Sequence, residues 1–380
     1  MSTQTSLRSV PIKKTSGAFS SALQKPKPIN LPSRVVIDPD GELCLAVGGQ
    51  TAITTFVVCP KTLSRASPFF KKLLYGGFAE STQPDRTTGE EWIVRLPDDN
   101  PKAMGVILNM LHACFETIPT SVCYFCDRSR HPFNRCFDYW DLYQLAQLTD
   151  KYDLTRILRP WAKDWVKDIS PHATSPLLCI GYSGRPATFV ELLSWIAWEL
   201  GDIATFKSTA KHLILNCTMQ PGGGLRLEGP FFKRLFAYSI EPAGLSSFIE
   251  DRRLETIRKM LDPLRKVVTR LTQVSKDNSK PLCTGCRYEV DCEVTMLGAI
   301  VRSLTPSGLY PIPKPEDISI SIMELADKLK ATDSKSRLNG HKCTALPKDV
   351  GETFFKAGPE LTELQVKHLK AQAKKTGLGA

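Results

Sequence analysis

Long apolar runs and histidine are the first things missing. The chain has 380 residues but only 6 histidines, and no stretch reaches the roughly 18 consecutive apolar residues of a membrane span. A membrane partner is therefore not expected. The opening MSTQTSLRSVPIKKTSG has no continuous apolar core, so the expected setting is intracellular, cytoplasm or nucleus, rather than secreted. No acidic residue precedes Asp38, and Pro11, Pro26, Pro28 and Pro32 deny this stretch an amphipathic helix. Residues 1–32 read as a disordered basic tail. Also missing are a Gly-rich phosphate loop, a nucleophile elbow and an HExxH pair. The three adjacent glycines of GGGLRLEG lack phosphate-loop spacing and read as a surface turn. An enzyme is not the expectation.

What is present is ordinary for a soluble globular chain, and its length suffices for two cores. The formal charge of +11 invites a nucleic acid or an acidic lipid surface as partner. Yet Arg8, Lys13, Lys14, Lys25, Lys27 and Arg34 are bunched at the start, and the remaining excess is scattered as on a solvated face. Lys13-Lys14 and Lys374-Lys375 are too short for import signals.

Along the chain, SRVVIDPDGELCLAVGG reads as two strands joined at the turn Asp38-Pro39-Asp40-Gly41, and TTFVVCP as a third that stops at Pro60. Phe69, Phe70, Leu73 and Leu74 stripe a helix closed by Gly76-Gly77. EEWIVRLP alternates as another strand. DDNPKAMGVILNMLHACF then opens a helix with Asp98 or Asp99 as cap and Pro101 in the first turn. DLYQLAQLTDKYDLTRILRPWAKDWV gives two more helices, the first striped by Leu142, Leu145, Ala146 and Leu148 and the second by Leu154, Ile157, Leu158, Trp161 and Trp165. Beyond residue 170 the pattern is mostly helical. FVELLSWIAWELGDIATFKSTAKHLIL is split at Gly201-Asp202, and Asp262-Pro263 ends one helix and restarts another. The Lys-rich LQVKHLKAQAKK reads as a short exposed helix before a frayed end.

The blocks DGELCLAVG, TTFVVCPKTLSRASPFFKKLLYGGFAES, WIVRLPDDNPKAMGVILNMLHACFETIP and LYQLAQLTDKYDLTRILRPWAKDW, in this order, resemble a BTB/POZ domain of the form abundant in fungi. Ser67-Pro68-Phe69-Phe70 matches the family's S-x-x-F helix, and Leu96-Pro97-Asp98-Asp99 its strand-to-helix turn. LSWIAWELGD is similar to sequence that follows the domain in those proteins. The fold class implied is α+β: a BTB/POZ domain with a small three-stranded sheet flanked by helices, followed by a mostly α-helical C-terminal domain. The divisions expected are a tail at 1–32, the BTB/POZ domain at 33–168 with a Cys-rich insertion at about 121–140, a helical domain at 169–350, and an exposed helix and tail at 351–380.

The resemblance implies a protein-interaction module, an adaptor or scaffold. Members that serve ubiquitin ligases dock on a cullin through a hydrophobic-x-Glu signature after the S-x-x-F helix, and here Phe78-Ala79-Glu80 stands in that place. An apolar anchor in a pocket with one carboxylate at its rim is a sensible docking chemistry. The competing reading has Phe78 plugging the domain's own core and Glu80 solvated. The strand-swapped homodimer of many relatives is in doubt, because residues 1–32 have no apolar periodicity to supply its helix. The client that the helical half would hold is not named by any motif.

Twelve cysteines in a reducing compartment point to metal ligands or core residues rather than disulfides. In CYFCDRSRHPFNRC, Cys123, Cys126, His131 and Cys136 have the spacing of a zinc knuckle, inserted where the family has a short connection. Asp127 and Arg130 replace the glycines that knuckles for nucleic acid use in their tight turns. A zinc-stapled loop and a plain surface loop with thiols both remain open. Farther on, Cys283 and Cys286 form a CxxC, with Cys292, His341 and Cys343 available to complete a structural zinc shell. The rival function is a zinc-stabilised, nucleic-acid-associated regulator, for which Tyr124, Phe125 and Phe133 would stack bases and Arg128, Arg130 and Arg135 hold phosphates. Nucleic acid is not the favoured partner.

Overall fold

The computed structural model describes residues 33–49, 52–85, 87, 89–123, 136–175, 187–227, 234–273, 289–333, 335, 343 and 358–379. Helices and small sheets are mixed, an α+β arrangement. The strands β1 (Ser33–Val36), β2 (Leu43–Val47), β3 (Thr54–Val58) and β4 (Trp92–Leu96) form one sheet in the order β1-β3-β2-β4. β2 and β3 are antiparallel with Leu45 opposite Phe56, and β4 lies parallel to β2 with Val94 opposite Leu45.

This sheet departs from the sequence reading in two ways. It has four strands rather than three, and β1 and β2 do not pair as a hairpin, because β1 runs parallel to β3 at the edge. The turn at Asp38 explains why. The amides of Ile37 and Asp38 both donate to the Val57 carbonyl at 3.1 Å, which carries the chain over the end of β3. Gly41 then passes so near that a Cβ there would lie 2.8 Å from the Val58 backbone. β2 descends on the far side of β3 from β1.

Strand β4 alternates as its sequence requires, with Trp92, Val94 and Leu96 inward and Ile93 and Arg95 outward. Against the inner face pack α1 (Pro60–Ala66), α2 (Pro68–Tyr75) and α3 (Pro101–Leu111), backed by α4 (Tyr139–Lys151) and α5 (Arg159–Ile169). Ser67 starts α2: its Oγ accepts from the Phe70 amide at 3.1 Å and donates to the Tyr152 carbonyl at 2.6 Å. The Phe70 ring stacks on Tyr152 with centroids 4.6 Å apart. The cap of α3 is Asn100 rather than Asp98 or Asp99. Asp99 is buried and occupied elsewhere, accepting from the Tyr152 hydroxyl and, at 2.6 Å, from Lys151 Nζ. Between α3 and α4 lies a ribbon of two short parallel strands, β5 (Ser121–Cys123) and β6 (Cys136–Asp138).

The second half builds on α6 (Phe189–Leu200), in which every residue is buried. A capping box of Thr188 and Glu191 starts it, left-handed Gly201 ends it, and Asp202 caps α7 (Ile203–Asn216). There follow the small hairpin of β7 (Cys217–Met219) and β8 (Leu225–Leu227), then α8 (Leu245–Thr272), α9 (Glu289–Leu304), α10 (Ile322–Lys330) and α11 (Glu363–Thr376). Asp262-Pro263 does not break α8, which continues through Pro263. Buried Leu261 and Leu264 anchor it on both sides of the missing amide.

A continuous hydrophobic core runs from Leu43 to Leu369 across both halves, with α4 packed on α6. The expectation of an exposed C-terminal helix is overturned, because α11 lies against α5, α6 and α7 with Gln365, Leu369, Gln372, Ala373 and Thr376 buried. Its buried stripe is largely polar, so composition disguised it. No helix among the described residues is long and apolar enough to cross a membrane.

Candidate partner-binding surface

The turn after α2 carries the residues that the sequence singles out. Gly77, with φ of 81°, reverses the chain, and Ala79–Ser81 makes a single 3₁₀ turn. The turn is pinned from beneath. Trp92 Nε1–H donates to the Glu80 carbonyl at 2.8 Å, and the Ser81 amide donates to the Phe78 carbonyl at 3.0 Å. Tyr75 meets Trp92 edge to face. The backbone is thus held while the Phe78 side chain stands out, 55% exposed, and Tyr75, at the end of α2, is 46% exposed. Phe78 does not plug the core, and Glu80 is exposed on the same turn. A ring left in water on a fixed turn, next to a carboxylate, is the arrangement that an anchor for another protein needs.

Of the proposed metal ligands, Cys126, His131, Cys283, Cys286 and His341 lie outside the described residues. The ribbon does bring two of the others together. Ser121 pairs with Cys136, Val122 with Phe137 and Cys123 with Asp138. Val122 and Phe137 face the core, so by the two-residue alternation Cys123 and Cys136 share the opposite face, one step apart diagonally. Both are half-buried. In the second set, Cys292 is fully buried on α9, heading a stripe with Met296, Ile300 and Leu304, and Cys343 is half-buried. Among the described residues no three metal-binding side chains converge.

Several buried polar residues were missed from sequence. Arg253, 1% exposed on the apolar face of α8, donates to the carbonyls of Cys217 at 2.8 Å and Ile318 at 3.0 Å, and to that of Ile320. Burial lowers its pKa. Glu191 binds the loop beyond β8, accepting from the Phe236 amide at 2.6 Å and Ser239 Oγ at 3.2 Å. Glu199, fully buried, accepts from Thr149, Thr155 and Gln372, and burial pushes its pKa up to about 7. The available signal was position: Arg253 falls four residues from both Ile249 and Ile257 on a buried stripe.

No protein-family model, no curated protein and no solved structure matches the chain.

Proposed function

We propose that the chain is a protein-interaction adaptor whose residues 33–168 make a BTB/POZ-type domain. On this reading the turn at Phe78 and Glu80 docks on a cullin scaffold, and the helical half holds a client. The observation that carries it is the pinned turn with an outward Phe78. The order β2, β3, α1, α2, β4, α3 supports it, being the order that the resemblance leads one to expect.

Titration of purified protein against a purified cullin tests this reading. The wild type should bind, and a Phe78→Ala, Glu80→Ala double variant should bind about 30-fold or more weakly, the scale of a lost hot spot. Because both side chains are exposed, the variant's folding stability should stay within about 0.5 kcal/mol of the wild type. Equal affinities, or no cullin binding by the wild type, would remove the adaptor reading. A salt-sensitive affinity for DNA or RNA in its place would favour the nucleic-acid rival.

For the cysteines, we infer that β5 and β6 frame a structural zinc loop, with Cys123 and Cys136 joined by Cys126 and His131. The shared face of the first two supports this. A second zinc would be held by Cys283 and Cys286 with ligands drawn from Cys292, His341 and Cys343. Zinc is able to rigidify a small loop without the help of a hydrophobic core. Protein prepared without chelator should carry one or two zinc per chain, with Cys136→Ser and Cys286→Ser each removing one. A zinc content near zero rejects both sites.

A further inference from the structure

Helix α11 buries one face and shows a row of cations on the other. Gln365, Leu369, Gln372 and Thr376 face the core. At about 100° per residue, Lys367, Lys370 and Lys374 fall within about 60° of one another on the opposite side, and all three are exposed. The row does not stop at the helix end. Arg159 lies against Gly377, where a Cβ would be 3.1 Å from its Nε, and Arg156 stands one turn before Arg159. Both arginines are exposed as well. At 1.5 Å per residue the stretch from Lys367 to Gly377 spans about 15 Å.

Among the described residues none of these five side chains has a hydrogen-bond or ion-pair partner. Glu363, one turn before Lys367, makes no ion pair with it, and Asp153 is taken by Lys375 at 3.4 Å. On other helices cations are served within their own turn, as Lys259 is by Glu255 and Lys328 by Glu324. The last-turn position explains Lys374 and Lys375, which complement the negative end of the helix. It does not explain Lys367 and Lys370, which sit in earlier turns, and like charges three and four residues apart destabilise a helix. Beside the cations runs a second line. Leu364 is 79% exposed, and Ala371, two turns on along the same side, is exposed as well. Carboxylates flanked by an apolar side chain match both lines, whereas a phosphodiester backbone matches only the cations. One leucine is also too little apolar surface to enter a bilayer.

We propose that this face of α11, continued by Arg159 and Arg156, binds an acidic segment of a protein partner, one with carboxylates spaced by a helical turn and an apolar residue beside them. Calling that partner the client rests on the adaptor reading. The unpaired charge and the exposed leucine stand without it.

Fluorescence anisotropy with the full chain and a labelled peptide of Glu, Leu and Ala in helical repeat tests the surface. The wild type should bind it with an affinity that falls as salt rises, and the same peptide with Gln for Glu should bind about tenfold or more weakly. Lys367→Gln, Lys370→Gln and Lys374→Gln combined should weaken binding about tenfold, the sum of three exposed ion pairs. Leu364→Ala should weaken it about threefold. These side chains are exposed, so every variant should melt as the wild type does. The basic residues at the start of the chain are the same in all, so binding through them would persist in the triple variant. Cullin titration of the triple variant should match the wild type, which separates this surface from the Phe78 turn. Cullin bound without peptide would overturn this surface alone, and peptide bound without cullin would support it while removing the cullin docking. Peptide binding that the triple variant retains, no binding at millimolar peptide, or a DNA duplex bound more tightly than the peptide and indifferent to Leu364→Ala, would each overturn the proposal.

Discussion

Ser67 does two jobs with one oxygen, and both lie at the junction of the sheet-side helices with α4. Its Oγ accepts from the Phe70 amide, closing the start of α2, and donates to the carbonyl of Tyr152, whose ring stacks on Phe70. Tyr152 in turn donates to buried Asp99. An alanine at position 67 removes the cap and leaves a buried carbonyl without this donor. The expected loss is about 2 kcal/mol, measured by urea denaturation at neutral pH. Ser67→Thr, which keeps the oxygen, should recover most of it. A loss below about 0.5 kcal/mol for Ser67→Ala would mean that the junction is held by ring packing alone. Arg253 shows the complementary case of a charge satisfied by carbonyls only, tying α8 to the backbone at Cys217, Ile318 and Ile320. Such a group is tolerated in a core because all the donors that the fold uses find acceptors.

At the scale of elements, what was legible in the sequence is what local chemistry decides. The alternation of Trp92, Val94 and Leu96 marked β4, the glycine and aspartate at 201 and 202 marked the break between α6 and α7, and Gly76-Gly77 marked the end of α2. The Phe78 turn was singled out by the resemblance, as the place of a hydrophobic-x-Glu signature, while local chemistry gave only its start at Gly76-Gly77. Partner choice was not legible. Asp38-Pro39-Asp40-Gly41 reads as a hairpin turn, yet it crosses an edge, since which strand accepts β1 depends on Val57, about twenty residues away. The cap of α3 moved one residue on, to Asn100, because Asp99 was claimed by Tyr152 and Lys151. The buried face of α11 is written in glutamine and threonine, which no apolar periodicity reveals. The cationic row along α11 runs on to Arg159, far back in the chain, so no single window of sequence contains it.

Across the whole molecule, Glu199 is where α4, α6 and α11 meet. Its carboxyl accepts from Thr149 on α4 at 3.1 Å, from Thr155 at 2.6 Å and from Gln372 on α11 at 2.6 Å. Thr376, one turn after Gln372, donates to the carbonyl of Leu200 at 2.7 Å. Gly201 allows α11 this close, since a Cβ there would sit 2.2 Å from the Ala373 amide nitrogen. Burial is the leading reason that Glu199 is pushed up to about 7, with the Asp150 charge adding to it, while the two threonine hydrogen bonds and Lys375 pull the other way. The folded protein therefore keeps this proton well above the ordinary glutamate value of 4.5, at which the unfolded chain releases it. Between those two values the native state binds more protons, so this carboxyl's contribution to stability is full below about pH 4.5 and is lost as pH rises to about 7. The size of the effect is about 3 kcal/mol at most. Asp150 is shifted in the same direction, whereas His212 and His368, both lowered by burial, give stability that grows with pH and partly mask the slope. The clean quantity is thus the difference between wild type and Glu199→Gln, followed by denaturation from pH 4 to 8. The variant, which never charges, should gain on the wild type steadily across the window from 4.5 to about 7 and then hold a constant lead. A difference that does not change with pH would mean that Glu199 is ionised throughout, with its three donors outweighing burial. The junction between α4, α6 and α11 would then be tied by a carboxylate rather than by a protonated acid.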